Sequence, residues 1–334
     1  MNNSMNIAVV YSHSKLGDLI WQIPYFKSIS EHYNSKLTLI VHPDSRAKQV
    51  LKDEKYIKNI YYNSFRKKIW YFIEIFKIYR IFKKEKFSHI YILDKISRPA
   101  IAASFANIPN RIGPGISAQK KWLTSKKFLS EKDYKELNYS EQSEKILYFN
   151  DIPVRNKLPS IYISSQSINN VKINFNLDQK KVVSFGVDSS EILYWRNWYE
   201  DQFSSLANRL YDNNIVDRVC LLSSPANKHV VKKIIDISKK DIFFDCSNTN
   251  LLQIIKIIKK SFFFVGNNSG PLNLSAALGV KSFGLIANAK VSELKNTKID
   301  PILPENYVNQ FIKKRENMRS LTVDRVFNHI VNNL

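Results

Sequence analysis

Two doubly wound α/β domains facing across a cleft are what this sequence predicts, and three observations carry the prediction. The chain has 334 residues, enough for two domains of about 150 residues each. Short β-branched runs alternate along it with helical stretches, the rhythm of βα units around parallel sheets. That rhythm breaks between about Asp151 and Gln179, where Pro153, Pro159 and the polar run SSQSINN intervene. The boundary is placed there, giving domains of residues 1–160 and 161–334.

Each element follows in order. MNIAVVY reads as the first strand, and SHSKLGDLIWQIPYFKSISEHY as a loop leading into a helix. KLTLIVH and FSHIYILD are the next strands. KVVSFGV, DRVCLLSS, DIFFDC and SFFFVG form a second series, separated by helical stretches such as EDQFSSLANRLYDN and NLLQIIKIIKK. The closing segment SLTVDRVFNHIVNNL predicts a helix capped near Thr322, with Val323, Val326, Ile330 and Val331 on one face and free to pack back toward the first domain.

One stretch stands apart. FRKKIWYFIEIFKIYRIFKKEK, residues 65–86, holds only Glu74, Lys77 and Arg80 as charges between Ile69 and Phe82, with basic clusters at both ends. Its apolar residues exceed one helical stripe. It reads either as a helix lying on an anionic membrane surface or as a helix packed on the sheet with solvated lysines.

Fifty-one Lys and Arg against 29 Asp and Glu give a net charge of +22. Charge of that size speaks of anionic partners rather than of fold. No zinc-finger spacing, RNP-like motif or Gly/Arg tract accompanies it, so nucleic acid is not the expected partner. Cys220 and Cys246, the two cysteines, each fall in an apolar strand-like run and read as buried free thiols. The six histidines form no metal-ligand spacing. The first residues lack a basic stretch followed by a long apolar one, and no run is long and apolar enough to span a bilayer. A cytoplasmic protein is expected.

In parallel sheets ligands bind beyond the carboxyl ends of the strands, where loops meet helix starts. Three loops qualify. SHSKLGDLI places Gly17 and Asp18 at a helix start, where a carboxylate serves either as a helix cap or as a general base. FGVDSSEILYWRNWYEDQF offers Ser189, Ser190 and Arg196 ahead of a helix beginning near Glu200. GNNSGPLNLSAALG, residues 266–279, puts two of only eight glycines around a polar turn. With Pro271 at the first helical position, its unpaired N–H groups suit an anion; a plain turn before a packed helix has the same look.

Together SKLGDLIWQIP, FGVDSSEILYWRNWYEDQF and VGNNSGPLNLSAALGVKSFGL resemble the three signature regions of glycosyltransferase family 9, the lipopolysaccharide heptosyltransferases. FSHIYILDKISRPAIAASFANIPNRIG is similar to that family's third-strand region, and the correspondence runs in order over essentially the whole chain. The resemblance implies a GT-B fold, inverting transfer from a nucleotide-diphosphate sugar, and neither metal nor cofactor. It makes Asp18 the base that takes the acceptor hydroxyl's proton. It assigns donor contacts to Ser189, Ser190, Arg196, Asn227, Asn268, Ser269, Gly270, Pro271, Leu272 and Asn273. On the acceptor side it points to Arg98, with Ser14, Gly17, Lys120 and Lys121 as further candidates. Lys126 and Lys127 extend that basic loop, which a solvated charge run would equally produce.

Four positions depart from the family pattern. Where the family carries an Asp before Ser/Thr-Gly and a His three residues after the Gly, this chain has Asn268 and Asn273. Asn227 stands where an acid contacts the donor, and Arg196 where the family has Lys. Arg keeps the charge and adds a bidentate fork; the amides change what can be hydrogen-bonded. The expected activity is therefore transfer of heptose from ADP-heptose to a lipopolysaccharide or lipooligosaccharide core, by an enzyme peripheral to the inner membrane. The alternatives are a family-9 enzyme with another nucleotide sugar and a non-catalytic sugar-nucleotide or lipopolysaccharide-binding subunit. The anionic glycolipid and the membrane surface are the partners anticipated, the latter through residues 65–86.

Overall fold

Every strand pairing in the computed structural model, which describes residues 5–66, 68–177, 180–189 and 191–334, is parallel. The chain divides into two compact units, Met1–Ile163 and Ser164–Leu334.

The first unit holds a 5-stranded sheet in the order β3-β2-β1-β4-β5. Its strands are β1 (Ile7–Tyr11), β2 (Leu37–Val41), β3 (Ile57–Tyr62), β4 (His89–Ile92) and β5 (Asn110–Ile112). Its helices are α1 (Leu16–Tyr33), α2 (Ala47–Val50), α3 (Tyr71–Glu85), α4 (Arg98–Phe105), α5 (Glu131–Glu136) and α6 (Tyr139–Tyr148). All residues of β1 and β2 are buried, as expected where helices cover both faces. Ala8, Val10, Ile40, Ile90 and Ile92 build one core with Ile78 and Phe82 of α3 and the alanines of α4.

The second unit has a 6-stranded sheet in the order β11-β10-β9-β6-β7-β8. Its strands are β6 (Val182–Gly186), β7 (Arg218–Leu222), β8 (Phe243–Asp245), β9 (Phe264–Asn267), β10 (Ser282–Leu285) and β11 (Ile299–Ile302). The helices are α7 (Ser165–Asn169), α8 (Glu200–Asp212), α9 (Lys228–Ser238), α10 (Leu251–Lys260), α11 (Gly270–Ala277) and α12 (Val323–Asn333). Trp198, almost fully buried, seats α8 on the sheet and donates from Nε1 to the Leu321 carbonyl at 2.8 Å.

Several expectations need correction in detail. The sequence pattern passes over β3, β5, β10 and β11. In α12 the inward face is Val326, Phe327 and Ile330, whereas Val331 is exposed; the helix starts at Thr322 as expected, its hydroxyl accepting from the Arg325 N–H. It packs against α8 of its own unit. The first residue of α11 is Gly270, so Pro271 stands second rather than first, and Ser269 is the N-cap.

Packing alone requires a glycine at position 266. It lies inside β9 opposite Gly186, and a Cβ there would meet the Gly186 carbonyl oxygen at 2.8 Å. Strand-to-strand approach requires that glycine.

Cys220 and Cys246 are free and buried. The hydrogen-bonded neighbour Cys246, with burial, holds the Cys220 thiol well above the usual thiol range.

Candidate active site

In the first unit the chain leaves β1 and turns into α1 over Ser12–Lys15. One bond fixes that loop to the segment after β4: the Asp94 carboxylate accepts the Ser12 N–H at 2.6 Å. The same carboxylate accepts the Ile96 N–H at 3.0 Å, and fully buried Gln119 donates to the Asp94 and Ile96 carbonyls at 2.9 and 2.8 Å, so the loop after β4 is itself held.

Asp18 is the third residue of α1, whose N-cap, Lys15, makes no side-chain capping bond. Its carboxylate instead faces the His13 ring, with Oδ2 3.5 Å from Nδ1. The His13 ring is stacked on Tyr11 at 4.8 Å and meets the edge of Tyr139 at 4.1 Å. Tyr139 opens α6, whose position against α1 is set by Gln22: its Nε2 donates to the Tyr139 carbonyl and its Oε1 accepts from Ser143. Burial, with the Asp18 and Asp94 carboxylates nearby, pushes the Tyr139 phenol up; Tyr11 is pushed well up for the same reasons. Both phenols stay neutral at any physiological pH.

Asp18, His13 and Tyr139 line a cavity of about 540 Å³, together with Ser12, Ser14, Lys15, His42, Ser64, Phe65 and Arg98. Lys15 and Arg98 outnumber the Asp18 carboxylate, so the cavity favours an anion-bearing ligand. Arg98 itself is 4% exposed. Its guanidinium donates to the Phe65 and Arg66 carbonyls and lies 5.4 Å from the Tyr71 ring, while its Nε is buried without a partner among the described residues. Arg98 thus clamps the loop that leads into α3. Burial lowers its affinity for its proton. Lys120 and Lys121 sit exposed on the 3-10 turn Ser117–Trp122 and are absent from the residues lining this cavity. Gly17 lies between Leu16 and Asp18 in the first turn of α1.

In the second unit three loops at the carboxyl ends of β6, β9 and β10 converge. Asn267 is fully buried and its Oδ1 accepts the Trp198 N–H at 2.8 Å, which draws the loop after β6 against the start of α11. Arg196 arrives beside Asn268 in consequence. Its guanidinium forms a two-pronged contact with Glu293, Nη1 to Oε2 at 3.2 Å and Nη2 to Oε1 at 3.3 Å. Asn268 donates to the same Oε2 at 2.8 Å. Trp195 and Phe311 flank the guanidinium at 4.7 and 5.7 Å.

At the N-terminus of α11 the Ser269 hydroxyl is buried and finds no partner among the described residues. Asn273 donates back to the Ser269 carbonyl at 3.0 Å, and Leu272 is fully buried. Asn227 is held by Asp188, whose Oδ2 accepts its amide at 2.9 Å along with the Ser224 N–H and hydroxyl. Ser189 is buried and donates to the Leu193 carbonyl at 2.8 Å. Ser190 lies outside the described residues.

Three members of these clusters escaped the sequence reading. His13 sits five residues before Asp18, in the loop that leads into α1, a spacing that could have marked it. Asp188 lies in the quoted stretch FGVDSSE. Glu293 belongs to a 3-10 turn, Val291–Leu294, and nothing in its neighbourhood distinguishes it.

The sequence profile described as glycosyltransferase family 9 (heptosyltransferase) matches residues 75–321. No curated protein matches the chain. Among solved structures, the ADP-heptose LPS heptosyltransferase II of E. coli superposes with a TM-score of 0.77 at 16% identity, covering 98% of each chain. A family-9 glycosyltransferase from Veillonella parvula DSM 2008 gives 0.75 at 14% identity, over 98% of this chain and 96% of that one. The E. coli heptosyltransferase WaaC with ADP gives 0.75 at 13% identity, over 99% and 100%. At such identities the likeness is one of fold, the GT-B class with its two parallel-sheet α/β units.

Proposed function

The chain belongs to glycosyltransferase family 9, and from that footing we propose that it moves heptose from ADP-heptose onto the core of a lipopolysaccharide or lipooligosaccharide, with inversion. The observation that carries this is the single carboxylate of Asp18 set at a helix start in an otherwise basic cavity. The relatives named for ADP-heptose and for ADP support the donor.

In this reading the first unit holds acceptor and base, and the second holds the donor. Asp18 removes the proton of the acceptor hydroxyl as that oxygen attacks the anomeric carbon. The new C–O bond forms while the bond from that carbon to the phosphate oxygen breaks, and ADP leaves. His13, by contacting Asp18, keeps the carboxylate turned toward the cavity. Charge developing on the diphosphate is met by the first N–H groups of α11, beside the Ser269 hydroxyl. Anionic groups of the glycolipid are met by Lys15 and Arg98.

The acceptor is a lipid, and α3 is built to meet its surroundings. Phe72, Ile73 and Phe76 of α3, with Ile69 on the 3-10 turn Lys68–Trp70 just before it, form an exposed apolar stripe, Ile69 82% and Phe72 79% exposed. Lys68, Lys77, Arg80, Lys83 and Lys84 are exposed around it. The opposite face buries Ile78 and Phe82. An apolar stripe in a basic surround suits an anionic bilayer surface. No described helix is long and apolar enough to cross a membrane.

The test is transfer to core-truncated lipopolysaccharide by purified protein with a panel of nucleotide sugars. Product from ADP-heptose alone is the expected result. Transfer from a different donor would move the specificity while leaving the reaction class in place. Donor binding without transfer to any acceptor would favour a binding subunit instead.

A further inference from the structure

Asn268 offers the donor site an amide, and the structure shows where the carboxylate beside it comes from. Glu293 reaches in from the turn after β10 and gathers Arg196 and Asn268. A carboxylate has room for about four hydrogen bonds, two on each oxygen. Here Oε2 takes two, from Arg196 Nη1 and Asn268 Nδ2, whereas Oε1 takes one, from Arg196 Nη2. One acceptor position therefore remains on Oε1 among the described residues.

Exposure follows the same division. Arg196 is 11% exposed in its side chain and Glu293 23%, while Asn268 is buried. Of the three side chains, that of Glu293 is the most exposed. The turn that carries it is pinned, since the Val291 N–H is accepted by the Tyr307 hydroxyl and by Asn309 Oδ1, both at 3.0 Å.

We propose that Glu293 is a donor-binding residue of this chain, accepting a hydroxyl of the transferred sugar while Arg196 and Asn268 hold it in place. This rests on the donor reading above. A neutral hydrogen-bond donor is the fitting occupant for the remaining position: an anion would be repelled by the carboxylate, and a second cation has no need of it once Arg196 neutralises the charge. Glu293 sits next to Asn268, one residue before the N-cap of α11. A sugar whose phosphates lie at that helix start is then within reach of the carboxylate.

The test compares two ligands on the same protein. Calorimetric affinities for ADP and for ADP-heptose are measured with wild type, Glu293→Gln and Glu293→Ala, after unfolding midpoints confirm that the variants fold. Loss of a hydrogen bond to a charged group should weaken ADP-heptose binding by about tenfold or more relative to ADP. ADP binding itself should hold or tighten, because Arg196 is released toward phosphate. If the affinity ratio stays within about twofold of wild type, Glu293 only holds Arg196 and the proposal falls alone. If wild type instead binds another nucleotide sugar, the ratio is taken against that sugar's own nucleotide and decides in the same way. Wild type binding no nucleotide sugar at all would overturn the donor reading and this proposal with it.

Discussion

Asp18 Oδ2 lies 3.5 Å from His13 Nδ1, and the imidazole is wedged between Tyr11 and Tyr139. The ring cannot swing away without breaking two aromatic contacts, so the histidine fixes where the carboxylate points. Removing the base by Asp18→Asn should lower kcat by about 10²–10⁴-fold, as loss of a general base does, with donor affinity kept. His13→Ala should cost less. Because both act on one proton transfer, the double variant should fall short of the sum, with a coupling of about 0.5–3 kcal/mol. Single-turnover rates on the four proteins measure it; full additivity would sever the two residues.

The outward stripe of α3 predicts a lipid-binding defect without a catalytic one. Each exposed phenylalanine is worth about 1.5–3 kcal/mol when buried in an apolar phase, so Phe72→Ser with Phe76→Ser should weaken binding to anionic vesicles at least tenfold. Salt should weaken binding by the wild type as well, since the surrounding lysines act through screened charge. Vesicle co-sedimentation reads both effects. Turnover on a water-soluble acceptor fragment should be unchanged.

The glycine pair in the second sheet makes a stability prediction. At Gly266 an added Cβ meets the backbone oxygen of Gly186 at 2.8 Å, and at Gly186 it meets the Phe264 ring at 2.7 Å. A ring can shift and a paired backbone cannot. Gly266→Ala should therefore destabilise the second unit more than Gly186→Ala, by about 1–3 kcal/mol for overpacking of this kind. Urea unfolding followed by tryptophan fluorescence reports it, because Trp195 and Trp198 lie in that unit.

Asp133 gives a pH dependence. The Lys145 ammonium and the Ser130 hydroxyl, bonded to its carboxylate, pull it down to about 2. A carboxyl depressed on folding stabilises the native state above its unfolded pKa and loses that contribution as pH falls through the folded value. The window therefore runs from roughly pH 4 down to about 2. In Asp133→Asn the unfolding midpoint should fall less steeply over that window than in wild type, by differential scanning calorimetry.

How far the pattern reached can be judged element by element. The strands recognised in advance are largely buried runs such as IAVVY and LTLIV. Those passed over include β3, an edge strand whose Lys58 and Asn59 are exposed, and β11, another edge strand that contains Pro301. An edge strand buries too little to impose an apolar period. β10 lies inside its sheet and was passed over although β9, equally four residues long and also holding a glycine, was recognised, so length does not account for the difference. The start of α1 was legible because Asp18 and the turn before it are consecutive. Lys120 and Lys121 were named through charge, and the fold sets them on an exposed turn outside the lining of the Asp18 cavity.

By itself the sequence determined two parallel α/β units, the family, and the residues at the starts of α1 and α11. Those depend on local order: buried strand, loop, helix start. Only the tertiary structure decided that His13 braces Asp18, that Asp188 holds Asn227, and that Glu293 joins Arg196 and Asn268. The partners in those contacts come from different loops, or take their support from helices far along the chain. Parallel sheets bring such loops together at one edge, and no spacing along the chain records which side chains then meet.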